Sequence, residues 1–332
     1  MNQPEYRQFL KARKLSDEQI ELYIAMGTRF EAFLSACQPP ATIEQASAEA
    51  VRAFVDLLIA EGQNSFESLL AVARYGQFSK NHTVYIASLE LLDGGEVLEG
   101  MYRKIGLVLG EQQRDTIFAG IDLPPLGTSN WQKSSITRTI MQRLEECLDV
   151  DTYRKIFSSS FRDLPDRYYL DDKKHYDEIG NFDQYLEWKR RAFIDQLEQI
   201  KAEGGLYFTQ EISDAVIDFV RSEPEISQGV RQGRILYVTK IPYMTKEYLA
   251  ETDPDKKRYY YCHCPWARES LRQAGGPVSA KFCQCSAGYH KRPWEVIFGQ
   301  SLEADVLESV VQGDMRCRFA IHLPESVQEG GA

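Results

Sequence analysis

Apolar positions in the first third of the chain recur at intervals of three and four, the helical period. Ser16-Asp17-Glu18-Gln19 forms a capping box ahead of Ile20, Tyr23 and Ile24, with Met26 and Phe30 following. Pro39-Pro40 closes that helix, and Thr42-Ile43-Glu44-Gln45 opens another carrying Val51, Phe54, Val55, Leu58 and Ile59. After a Gly62-Gln63-Asn64 turn, Leu69, Leu70, Val72 and Ala73 continue the period. The pattern predicts a small bundle of four short helices within residues 1–110. Prolines 124, 125 and 165 interrupt the next stretch around a helix at 135–147, and long amphipathic spacing marks helices at 182–202 and 212–221.

From Gly233 the period shortens towards two. Residues 234–241 are apolar and β-branched up to Pro242, and further strands are predicted at 257–264 and 278–285. Leu302, Ala304 and Val306 alternate as a fourth, and Gly313-Asp314 turns into a fifth with Cys317, Phe319 and Ile321 on one face. Helices are expected at 265–274 and 287–298. The fold class is α+β: a helical bundle at 1–110, a helical connecting region at 111–225, and at 226–332 an α+β domain with a mostly antiparallel sheet.

Composition narrows the function classes. A net charge of −10 across 332 residues, with basic clusters set among acids, makes nucleic acid an unlikely partner. No apolar run approaches the roughly 18–20 residues of a membrane helix, so no membrane partner is expected. The first twenty residues contain charges and no apolar core of a secretory signal, which points to a cytoplasmic location where thiols stay reduced.

That makes the cysteines informative. Cys262-His263-Cys264 and Cys283-Gln284-Cys285 hold four of the seven, and Cys317 lies just downstream. On strands, each pair shares a face, and two adjacent pairs would converge as tetrahedral zinc requires, with Zn–S near 2.3 Å. Each pair also precedes an expected helix, with Pro265 suited to a first helical position and Cys264 to its N-cap. A helix N-terminus favours thiolate, the form that binds metal and attacks electrophiles. Three readings therefore stand open: a zinc site built from Cys262, Cys264, Cys283, Cys285 and Cys317; a reactive or redox thiol, with Cys264, Cys285 and His263 as catalytic candidates; or small buried apolar cysteines. His263 has the opposite parity to its neighbours and is expected to bond locally, while Cys37 and Cys147 fall on apolar helical stripes and are expected in the core. Tyr261, Trp266, Arg268 and Tyr289 are the candidate ligand-binding residues.

The run Cys283-Gln-Cys285-Ser-Ala-Gly-Tyr289, then Phe298-Gly299, Leu307-Glu-Ser309 and Gly313-Asp314-Met-Arg-Cys317-Arg-Phe319 resembles the end of four-vinyl-reductase-type small-molecule-binding domains. It is also similar to the L-2-amino-thiazoline-4-carboxylic acid hydrolase family. The resemblance covers about residues 230–324. It implies a ligand enclosed between sheet and helices, dimers, and a zinc site to which Cys283 and Cys317 correspond. Val306 and Ser309 stand where that site has a Glu and a Cys, so the site differs here, and Cys262, Cys264 and Cys285 are available to rebuild it. Residues 5–90 resemble, in helix spacing, the core-binding module of tyrosine recombinases. No histidine is followed by x-x-Arg, which excludes that activity. Phosphate-loop, dinucleotide, zincin and Gly-x-Ser-x-Gly motifs are absent.

The expectation is thus a cytoplasmic small-molecule-binding protein that pairs as a homodimer and holds a cysteine-ligated zinc. The alternatives are a hydrolase acting on a small amide-like or cyclic substrate through a thiolate or the metal, and a scaffolding protein using the bundle as its contact surface.

Overall fold

The computed structural model describes residues 1–157, 159–162 and 164–327. The class is α+β as expected, with helices first and small antiparallel sheets towards the C-terminus. The chain divides into two units, one of residues 1–95 with 122–133 and one of residues 96–121 with 134–332.

The first unit is helical. Ser16 caps Asp17–Ala36 through the expected reciprocal pair, its hydroxyl accepting from the Gln19 N–H while the Gln19 side chain accepts from the Ser16 N–H. The Thr42–Gln45 signal opens only a single 3₁₀ turn, Ile43–Gln45, and Ser47 then caps Ala48–Ala60. Residues 1–110 contain six helices rather than four, because Gln3–Lys11 and His82–Leu92 start on Asn2 and Asn81 caps. The interior is aromatic and fully buried at Tyr6, Tyr23, Phe30 and Phe54.

In the second unit, Phe182–Ala202 begins on an Asn181 cap, as its sequence period indicates. A two-stranded hairpin, β1 (Leu206–Tyr207) and β2 (Gln210–Glu211), follows. The main sheet contains β3 (Val230–Gln232), β4 (Ile235–Thr239), β5 (Ala304–Glu308) and β6 (Arg318–His322), in the order β3-β4-β6-β5 and antiparallel throughout. Register places Leu236 opposite Ile321, Val238 opposite Phe319 and Val306 opposite Phe319 from the other side. Directly opposed residues share a face, so these form one apolar surface. Helix Gln284–Phe298 covers it: Trp294 and Ile297 pack with Leu236, Val238 and Ile321. The other face carries Arg318, which forks onto Glu225 at 2.6 and 2.7 Å and lies over Tyr237.

Two strands expected from sequence are helices instead. Asp253 caps Pro254–Tyr261, accepting from the N–H groups of Asp255 and Lys256, with Pro254 at the first helical position. That start signal overrides the β preference of Tyr259-Tyr260-Tyr261. Likewise Ser279 caps a 3₁₀ turn, Ala280–Cys283, which runs directly into Gln284–Phe298. In place of the helix expected at 265–274, the chain makes a turn and the 3₁₀ segment Arg268–Leu271.

Candidate thiol and imidazole site

Because both Cys-x-Cys pairs leave the strand conformation, the alternation argument for them fails. They meet by another route. Cys262 ends helix Pro254–Tyr261, its N–H donating to the Arg258 carbonyl, and the Cys264 carbonyl accepts from the N–H groups of Ala267 and Arg268 in the turn that follows. Cys283 immediately precedes helix Gln284–Phe298 and Cys285 lies in its first turn. Cys317 leads into β6, its carbonyl accepting the Lys240 N–H at 3.1 Å. Cys262 and Cys317 are buried together with Tyr261, Ala287, Val310 and Phe319, with Cys264 and Cys283 packed against them. Cys285 lies on the other side of Cys264, among Phe161, Trp266 and Phe282.

Burial is the main cause of the acidities here, because a thiolate loses solvation inside the protein. It pushes Cys264 up to about 11, with the Cys285 thiol adding to the effect. Cys283 rises to about 12, through burial and then Cys317, against the Ser309 hydroxyl 3.1 Å from its sulfur. Cys262 is raised well above the ordinary thiol range by burial and by Cys264, Cys317 and Cys283. Cys285 and Cys317 are also raised by burial. For Cys285 the opposing influences are the Phe161 N–H at 3.4 Å and the Ser160 hydroxyl at 3.7 Å. Burial thus works against the thiolate at all five.

The Ser160–Phe161 approach depends on glycine. A Cβ on Gly288 would lie 2.3 Å from the Ser160 nitrogen, and one on Gly100 would lie 2.3 Å from the Phe161 carbonyl oxygen. The segment is therefore clamped between helices Val97–Leu109 and Gln284–Phe298, which puts the Phe161 N–H within reach of sulfur.

Strand parity does not apply to His263, and its bond reaches across the fold rather than along the chain. Its Nε2 lies 2.6 Å from the Ile241 carbonyl, which makes it the donor, and its ring meets Tyr243 edge-on. Burial, then Lys240, holds it down at about 3, so the imidazole is neutral. His290, which looked equally suited to an outer helix face, stacks on Phe319 with ring centres 4.9 Å apart, and its Nε2 is buried with no hydrogen-bond partner among the described residues.

The candidate ligand residues are dispersed. Tyr261 is buried and donates to the Lys240 carbonyl at 2.5 Å, and Trp266 is buried with Phe282 and Cys285. Arg268 is enclosed beneath Tyr243 and Tyr259, 4.3 and 5.5 Å from their ring centres, beside a Glu269 that also accepts from the Tyr259 hydroxyl. Its guanidinium is engaged by its own domain. Tyr289 is exposed beside Arg162. Outside the cluster, Cys147 is exposed and Cys37 half-buried, so the core placement expected for both fails at Cys147.

Sequence reasoning missed Lys240, Ser160 and Phe161. Lys240 directly follows the apolar run of β4, where a strand-end lysine marks an edge of the covered face. Nothing local marks Ser160 or Phe161, which come from a segment remote in sequence.

Five thiols are a donor set that zinc would accept. Their placement does not match that chemistry: among the described residues, no three His, Cys, Asp or Glu side chains converge so as to hold a metal ion. Nor is any helix among them long and apolar enough to cross a membrane.

A family of unknown function (DUF6144) matches residues 251–328, the stretch that supplies all five clustered cysteines and both imidazoles. No curated protein and no solved structure matches the chain.

Proposed function

We propose that the second unit is a small-molecule-binding module whose ligand lies at the thiol and imidazole cluster. The supporting observation is the concentration of chemistry in one interior. Cys262, Cys264, Cys283, Cys317 and His290 gather at the covered sheet face and its helix, with Cys285 beyond Cys264 against Phe161. Zinc is the ion this donor set suits, and its binding would require thiol side chains to turn towards a common point. Metal analysis of purified protein tests that part. Stoichiometric zinc lost in Cys283→Ser supports it, and metal-free folded protein ends it. A thermal-shift screen of small metabolites, neutral and charged, tests the binding module, and a screen without any stabilising compound ends that reading.

A second reading, a thiol-dependent hydrolase, rests on Cys285. This sulfur lies in the first turn of a helix and faces a backbone N–H and a hydroxyl, arrangements that favour thiolate. Its raised acidity weighs the other way.

A further inference from the structure

Lys240 is the charged group in this interior that the cysteine reading leaves unused. Its backbone is pinned on both sides, the N–H donating to the Cys317 carbonyl and the carbonyl accepting from the Tyr261 hydroxyl. Its Nζ lies 6.0 Å from the centre of the Phe319 ring, and His290 stacks on that same ring. Among the described residues, no carboxylate lies within 4.0 Å of this ammonium. The acids nearest the cluster are engaged elsewhere: Glu308 forks onto Arg316 at 2.8 and 2.9 Å, and Asp314 accepts the Ser309 N–H at 2.8 Å.

A half-buried ammonium ordinarily has a counter-ion, because its desolvation is otherwise uncompensated. Arg162, on the Cys264 and Cys285 side, lies 4.0 Å from the Glu96 carboxylate. The Phe319 ring thus carries an ammonium without an anion and a buried imidazole nitrogen without a hydrogen-bond partner.

We propose that Lys240 is the anchor of a seat for a small, singly charged anion, with His290 beside it as a hydrogen-bonding group. This rests on the small-molecule reading above and names the charge of the ligand. One ammonium suits a monoanion such as a carboxylate better than a dianion, whose second charge would enter the interior uncompensated.

The experiment titrates wild type, Lys240→Met and Lys240→Arg with benzoate, with benzamide of the same shape, and with sulfate, following binding by calorimetry and folding by circular dichroism. Benzoate is expected to bind wild type and Lys240→Arg, and to bind the folded Lys240→Met protein roughly tenfold more weakly or worse. Benzamide and sulfate are expected to bind less well than benzoate. Benzamide or sulfate binding as tightly as benzoate overturns the monoanion seat and leaves the small-molecule reading standing. Undiminished benzoate binding by Lys240→Met does the same, and Lys240→Arg decides the point if the methionine variant fails to fold. Failure of all three probes to bind wild type overturns the seat, while the metabolite screen decides the parent reading separately.

Discussion

The Ser309 hydroxyl lies 3.1 Å from the Cys283 sulfur while accepting the Val311 N–H at 3.2 Å. Either atom of the pair can be the donor, because a hydroxyl oxygen that accepts one N–H keeps a second lone pair. By the resemblance drawn from the sequence, Ser309 stands where a zinc-bearing domain would have a cysteine, and it holds a hydroxyl against Cys283. Ser309→Ala is expected to cost about 1 kcal/mol in chemical denaturation and to slow alkylation of Cys283, since the hydrogen bond opposes the rise in its acidity. Ser309→Cys adds a thiol at that point, and a zinc titration is expected to show tighter binding than wild type. Equal zinc affinity in the two proteins would sever the link between this position and metal binding.

Gly288→Ala tests the clamp on Ser160. A methyl group within 2.3 Å of backbone must move that backbone, so a loss of about 1–3 kcal/mol is expected. Cys285 should at the same time become easier to alkylate, because the segment covering it withdraws. Destabilisation without any change in Cys285 reactivity would mean that the segment does not gate the sulfur.

The acidities set a stability window. Cys264 and Cys283 ionise more readily in the unfolded chain, near the ordinary thiol value of about 8.5, than in the fold at about 11 and about 12. The stability they contribute is fully present below that unfolded value and is lost as pH rises towards 11–12. His263 behaves oppositely: its folded value of about 3 is depressed, so its contribution is present above about 6.5 and lost as pH falls towards 3. Denaturation midpoints should therefore form a plateau between about 6.5 and 8.5, and Cys264→Ala should flatten the alkaline side. An alkaline limb unchanged by that substitution would refute the thiol assignment.

Asp253→Ala removes the two N–H contacts that start helix Pro254–Tyr261. A cost of about 1 kcal/mol is expected. The cap lies one short helix away from Cys262, so hydrogen exchange should quicken across 254–262 and leave β6 unaffected.

Much of the architecture was legible because its signals are local. Phe182–Ala202 could be bounded from its apolar period and the Gly204-Gly205 stop, and β4, β5 and β6 fall within the alternating runs. Neither cysteine pair lies on a strand, because the Asp253-Pro254 start overrides the β preference of three consecutive tyrosines and a Ser279 cap opens the turn before Gln284–Phe298. Grouping the five thiols succeeded as a matter of neighbourhood and failed as a geometry, since Cys285 faces Phe161 while Cys283 faces Ser309. The significance of Lys240 and His290 comes from a ring, Phe319, that only the antiparallel pairing of β4 with β6 brings between them.

The glycine clamp has a consequence for how the molecule is made. Helix Val97–Leu109 and the Ser160–Phe161 segment share a hydrophobic cluster with Trp266, Phe282 and Cys285. During translation the early members of that cluster leave the ribosome long before their covering partners exist. The nascent chain must therefore carry an exposed apolar surface until the cysteine-bearing stretch arrives. That stretch in turn closes its own interior only against residues already waiting for it.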